Sequence, residues 1–210
     1  MQAPIKTRLT SIAAALSLVF FSSIFAQTPA GTPTTQPAGS SMPASKQTTA
    51  TSGSNTSLPA GDRDFMMKAA QSDIAEIQAG QAAKEKAVSA AVKKFADQMV
   101  ADHTKTSGQM KTMAASRNVA LPTTPSANDT RDMKKMSTMS GNDFDRAYMA
   151  SQVRAHRDAV ALFQKESKSG KDAELKSFAA TTLPALQDHL KMATELAKTT
   201  NSAPRQSAGK

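Results

Sequence analysis

The chain has 210 residues with no cysteine, no tryptophan, a single tyrosine and a formal net charge of +9. That length holds one domain or two small ones, and the missing thiols exclude disulfides, thiolate catalysis, cysteine-type zinc sites and lipobox acylation. Scarce aromatics leave alanine and methionine as the main core-filling residues, which suits closely packed helices better than sheets.

Residues 1–26 read as a signal peptide. Lys6 and Arg8 form a positive start, Leu9 to Phe25 is mostly apolar, and Ala26 offers a small residue before Gln27. Ile24 fits the cleavage rule poorly, so an uncleaved anchor is the alternative. The expected location is periplasmic or outer envelope. No later segment is apolar over the ~20 residues that a span requires, so no transmembrane span is expected in the mature chain.

Residues 27–61 are almost entirely Thr, Ser, Pro, Ala, Gly and Gln, a composition that buries too little apolar area to offset ordering, and they read as a disordered tether. Residues 199–210 read as a similar tail. Between them, 62–198 forms the expected compact domain. It holds all 17 acidic residues and 21 of the 26 basic ones, a net of +4. A mildly basic domain suits anionic envelope polymers or an envelope protein as partner. Nucleic acid is excluded as a partner because cations alternate with acids and stacking aromatics are few.

Within the domain, Asp62 is positioned to cap a first helix running to about Lys84. Ser89 starts a second, on which Val92, Ala96, Met99, His103, Thr106, Met110 and Met113 alternate steps of three and four, the spacing of a bundle seam. It should stop near Asn118, ahead of Leu121-Pro122. A short helix from about Asp129 to Met139 ends at Ser140-Gly141. A third long helix begins after Asn142 with a stripe of Tyr148, Met149, Val153, His156, Val160 and Phe163. Gly170 divides it from a fourth, striped by Leu175, Ala179, Thr182, Leu186, His189, Ala193 and Leu196. Pro184 removes a backbone bond inside this helix and crowds the carbonyl of Ala180, so a kink is expected one turn before His189. Either it is tolerated packing, or it aims His189 or frees that carbonyl as a ligand. Four long helices and no strand signal predict an all-α, four-helix up-down bundle with a short extra helix between the second and third.

The three histidines carry the functional signal. His103, His156 and His189 each sit on the seam of a different helix. Glu76 lies on a small-residue face of the first helix, and Asp145 lies eleven residues before His156, three turns away on about the same face. Imidazole suits Cu, Zn and Fe, so the candidate site is a transition-metal centre of His103, His156 and His189 with Glu76 or Asp145. Adjacent residues diverge by ~100° on a helix, so Asp102 and Asp188 would orient histidines on other helices rather than their own neighbours. The plainer reading is that each histidine bonds an aspartate and sets helix register. Methionines near the histidines, Met99 and Met192 among them, and the repeat Met133, Met136, Met139 suit Cu(I) as soft ligands or core packing. No nucleophile elbow, HExxH motif, phosphate loop or EF-hand loop occurs.

The segments AVKKFADQMVADHTK, SGNDFDRAYMASQVRAHRDAVALFQKES and LKSFAATTLPALQDHLKMA resemble one family, through Asp102-His103, Phe144-Asp145-x-x-Tyr148 and Leu183-Pro184-x-Leu186-x-x-His189. It is the bacterial envelope family called domain of unknown function 4142, within the ferritin-like superfamily. The resemblance implies a four-helix bundle in the envelope and no established reaction. Di-iron bundles carry Glu-x-x-His on two helices. Here Val100, Val153 and Leu186 stand three residues before the histidines, so di-iron oxidase or storage chemistry does not follow. Two readings result. One is an exported metal-binding or stress-related envelope protein. The other is a structural or interaction module without a metal site. An oxidoreductase is the least supported.

Overall fold

The computed structural model describes residues 58–203. The signal peptide and nearly all of the tether expected over 27–61 lie outside the described residues, as does the tail beyond Ala203. Five helices make up the rest: α1 Ala60–Lys86, α2 Ala90–Ser116, α3 Ala127–Ser137, α4 Gly141–Ser169 and α5 Ala173–Ser202. None of them is long and apolar enough to cross a membrane.

Helix ends shift from their expected places for local reasons. α1 starts at Ala60 behind Pro59, so Asp62 falls inside the first turn and is buried instead of capping. α2 stops at Ser116 because Asn118 adopts a left-handed conformation (φ 53). Val119 N–H then reaches the Ala114 carbonyl at 2.9 Å and Asn118 N–H reaches Ala115, a Schellman closure with Val119 buried over it. Ser126 caps α3 by accepting the Asp129 N–H, so α3 begins two residues early. Gly141 (φ 57) supplies the left-handed residue that turns the chain into α4. Asp172 caps α5 through the N–H groups of Glu174 and Leu175. α5 extends to Ser202, past the expected Lys198, because Thr200 is buried and packs the last turn down. Pro184 and Ala180 are both exposed in this unbroken helix, so the carbonyl deprived of its bond faces solvent and not the core.

The interior is divided into two apolar halves. One joins Phe65, Met66, Met110, Met113, Phe163, Leu175 and Leu186, with the rings of Phe65 and Phe163 edge-on at 5.0 Å. The other joins Val92, Phe95, Met99, Phe144, Tyr148, Met149 and Ala193. Burying each large side chain contributes ~1.5–3 kcal/mol. α1 and α5 run from the first half to the second, whereas α2 and α4 run the other way. The hairpins α1–α2 and α4–α5 are thus antiparallel pairs joined by a long crossover that carries α3, as in ferritin-like bundles with one crossover.

Each hairpin turn is held by a buried aspartate from the other hairpin. Asp145 of α4 accepts the N–H groups of Val88 (3.2 Å) and Ser89 (2.9 Å). Asp62 of α1 accepts those of Lys171 (3.0 Å) and Asp172 (2.6 Å). Both aspartates open the same pattern, Asp62-Arg-Asp-Phe-Met66 and Asp145-Arg-Ala-Tyr-Met149. The two clamps are therefore internal counterparts at one constant offset, which pairs Val88 with Lys171 and Ser89 with Asp172.

Candidate metal centre

Between the two apolar halves lies one polar layer. On α1 it is Asp73 and Glu76, on α2 His103, on α4 Gln152 and His156, and on α5 His189, all buried. The stripes make this unavoidable, because each of these positions falls between apolar neighbours on the inward face of its helix. All three histidines arrive at the same depth, with ring centroids 5.3–5.9 Å apart.

Each ring is held on one side by a group that only accepts. His103 Nδ1 lies 2.8 Å from Asp73 Oδ1, His156 Nδ1 lies 3.0 Å from the carbonyl of Gln152, and His189 Nε2 lies 3.0 Å from Asp102 Oδ2. Neither a carbonyl nor a carboxylate donates, so the proton sits on the anchored nitrogen of each ring. The opposite nitrogens, His103 Nε2, His156 Nε2 and His189 Nδ1, are buried and have no partner. One donor nitrogen from each histidine lies within 4.8 Å of those of the other two. Two metal–imidazole bonds of ~2.1 Å at a tetrahedral angle place their nitrogens ~3.4 Å apart, so a pair at the 4.8 Å limit closes by roughly 1.4 Å when an ion binds. The lone pairs of His156 Nε2 and His189 Nδ1 face His103 Nε2 in a dry interior, and a positive charge held among the three, a proton on His103 or a metal ion in its place, relieves the arrangement.

The electrostatics keep two of the donors neutral. Burial, then the nearby His103, push His156 down to about 4 against the pull of the Gln152 carbonyl. Burial, with His156 and His103 adding to it, also lowers His189 despite Asp102. For His103, burial opposes the charged form, but the Asp73 hydrogen bond and the carboxylates of Glu76, Asp73 and Asp102 outweigh it and raise the imidazole above its usual value. Burial raises Asp73 and Glu76.

The expected carboxylates divide. Glu76 is in the layer and feels the charges of His103 and His189, but its Oε2 accepts Gln152 Nε2 at 2.7 Å and it stands beside the trio rather than among the three converging donors. Asp145 is a correction. It shares a face with His156 but lies ~16 Å along the axis, and both of its oxygens are spent on the α1–α2 turn. Asp102 orients a histidine on another helix, whereas Asp188 is exposed. Asp73 and Gln152 were not anticipated. Their signal was present: Asp73 continues the stripe Ala69, Asp73, Glu76, Gly80, and Gln152 stands four residues from both Tyr148 and His156. Methionines 66, 99, 110, 113, 136 and 149 belong to the two apolar halves.

A family model, Domain of unknown function (DUF4142), matches residues 47–196. The chain belongs to this family. No curated protein matches it. Three solved structures share its fold. A DUF305 fragment from Deinococcus radiodurans is 13% identical with a TM-score of 0.61, covering 68% of this chain and 98% of that one. CopM in the Cu(II)-bound form is 16% identical with a TM-score of 0.55, covering 66% and 96%. A conserved hypothetical protein, rv2844, from Mycobacterium tuberculosis is 18% identical with a TM-score of 0.52, covering 71% and 97%. At these identities the DUF4142 chain shares an architecture with them.

Proposed function

We propose that this DUF4142 protein binds a transition metal at His103, His156 and His189 and serves as a metal-handling protein of the bacterial envelope. The observation that carries the reading is the set of three buried, partnerless nitrogens whose rings are each anchored at the far side. Such anchoring is how proteins orient imidazole ligands and raise their basicity. The donor set suits Cu(II), Zn or Fe, and a bundle of the same fold, CopM, has a Cu(II)-bound form. The ion would hold together α2, α4 and α5, and Glu76 would supply a nearby compensating charge. The positive, apolar start of the chain supports export, where copper and zinc are encountered.

Titration of the full chain with Cu(II), Zn(II) and Fe(II), followed by metal analysis and thermal melting, tests the reading. One ion per chain is expected, with stabilisation of ~2.7 kcal/mol at a hundredfold excess over the dissociation constant. Binding no tighter than millimolar, or binding unchanged when all three histidines become alanine, returns the protein to a structural role. N-terminal sequencing of the mature protein tests export, with a new terminus at Gln27 expected.

A further inference from the structure

The two hairpin turns are built alike, and the α4–α5 turn contains something its counterpart does without. Glu166 is buried at 5% exposure and hydrogen-bonded to the clamping Asp62. At the α1–α2 turn, the offset that pairs Asp62 with Asp145 pairs Glu166 with Ala83 and Gly170 with Ala87. Both alanines are buried, and Ala87 N–H bonds the Ala83 carbonyl at 3.0 Å, as Gly170 N–H bonds that of Glu166 at 2.8 Å. An aspartate clamp of this design therefore holds its turn without a second acid.

Two buried carboxyls in contact share a proton. Asp62 has both oxygens engaged as acceptors, Oδ1 from the Lys171 N–H at 3.0 Å and Oδ2 from the Asp172 N–H at 2.6 Å. The proton therefore sits on Glu166, which donates it to a remaining lone pair of Asp62. Glu166 Oε1 has no partner, so Oε2 is the donor. Gly170 packs against the idle oxygen. A Cβ there would lie 2.6 Å from Oε1 and 2.7 Å from the Glu166 carbonyl, so a side chain at 170 would displace the acid.

The surroundings hold that proton in place up to neutral pH. Burial, then the charge of Asp62 and the hydrogen bond with it, push Glu166 up to about 7. Asp172, at the start of α5, adds to the effect, and Lys165 on α4 opposes it. Asp64 of α1 lines the same corner. Arg117, at the end of α2, pairs with Asp172 and Glu174. Glu166 also lies in the last turn of α4, where the helix dipole disfavours an anion. A cavity of about 60 Å3 opens here between Asp62, Lys165, Glu166 and Ser169, and gives the proton a path to solvent.

We propose that Glu166 and Asp62 form a proton-operated latch, which fastens the first turn of α1 to the α4–α5 turn in mildly acidic surroundings and loosens as pH rises past neutrality. With the proton in place, one hydrogen bond joins the end of α4 to the aspartate that clamps the turn. When the proton leaves, two buried carboxylates face each other, and Glu166 Oε1 carries charge with no donor to meet it. A carboxyl raised in the folded state contributes its stability fully below its unfolded value and loses it as pH climbs through its folded value. The window therefore runs from the ordinary 4.5 to about 7. The α1–α2 turn, with Ala83 in the place of the acid, has no such switch. The latch shares no residue with the polar layer, and His156 lies about three helical turns away along α4.

Urea unfolding of the full, metal-free chain is followed from pH 5 to pH 8 for the native protein, E166Q and E166A. E166Q keeps a donor toward Asp62 that no pH in this range removes, and E166A copies the alanine at 83. The native midpoint should fall relative to both variants as pH rises, and E166Q should be the more stable protein at pH 8. Amide chemical shifts supply a local readout on the native chain itself. Those of Lys171 and Asp172 should titrate near neutral pH and stay level in E166Q. Those of Val88 and Ser89, which Asp145 holds in the same way, should stay level in both. The latch is refuted if the gap between native and variant midpoints is constant across the range. It is equally refuted if the Lys171 and Asp172 amides do not titrate, or if the Val88 and Ser89 amides titrate with them.

Discussion

Asp73 shows what a single side chain contributes to the polar layer. It is buried, and its Oδ1 holds His103 Nδ1 at 2.8 Å while also accepting the Thr106 hydroxyl at 3.0 Å. That contact sets the tautomer that leaves Nε2 bare. Asp73→Asn would keep the shape but remove the carboxylate, and metal affinity should fall ~10–100-fold with one ion per chain retained; calorimetric titration checks it. Asp172 makes a different contribution. Arg117 grips it through two bonds of 2.9 and 2.7 Å, chiefly for this reason its carboxyl is held below the ordinary 3.8, and it caps α5 as well. A carboxyl lowered in the folded state stabilises fully above its unfolded value and loses that contribution as pH falls through its folded value. Arg117→Ala should therefore cost ~1 kcal/mol at neutral pH. The gap from the native chain should be flat down to about pH 4 and narrow below it, as urea unfolding across pH would show.

At the scale of elements, helix spacing governs where the layer can form. α1 and α2 approach closely at Gly80, where an added Cβ would meet Val100 Cγ2 at 2.8 Å and the Ala96 carbonyl at 3.2 Å. Val100 is branched at its β-carbon and cannot swing aside freely. Gly80→Ala should destabilise by ~1–3 kcal/mol despite the better helix propensity of alanine, measured by thermal or denaturant unfolding. The helices themselves were largely legible beforehand. The steps of three and four along 92–113 and 175–196 mark their inward faces, and the errors were of two to four residues at the ends. Those errors arise where a distant group takes over a local task. Ser89 makes no side-chain cap, and it is Asp145 that holds this turn through the N–H groups of Val88 and Ser89; Asp62, a cap candidate by sequence, reaches across to the α4–α5 turn.

For the whole molecule, a polar layer across an apolar core is a cost set against stability. His103 and Asp73 form a buried pair whose removal in halves differs from removal together. His103→Leu leaves Asp73 buried and unpaired and should cost ~3–5 kcal/mol. Adding Asp73→Leu should recover that loss, and the double variant should be as stable as the native chain or up to ~4 kcal/mol more so. Both variants should bind metal poorly. Equilibrium unfolding of the two variants checks the first expectation, and metal titration the second. A double variant as unstable as the single one would mean that the layer is a packing requirement rather than a site.

Local order was within reach of the 210 letters alone. Periodicity and capping residues determine that 62–198 forms four long helices and a short one, and that His103, His156 and His189 point inward, because a helix face follows from spacing by itself. Depth and partners do not follow from spacing. Asp145 shares the face of His156 yet belongs to a turn three helical turns away, and the stripe that carries Asp73 does not show that it meets His103. Which residues share a layer depends on how far each helix slides against its neighbours and on the crossover that sets α4 parallel to α2. Those are consequences of packing two apolar halves against each other. Only the tertiary structure decides them, because the free energy that selects the register is spread over all four helices and belongs to none.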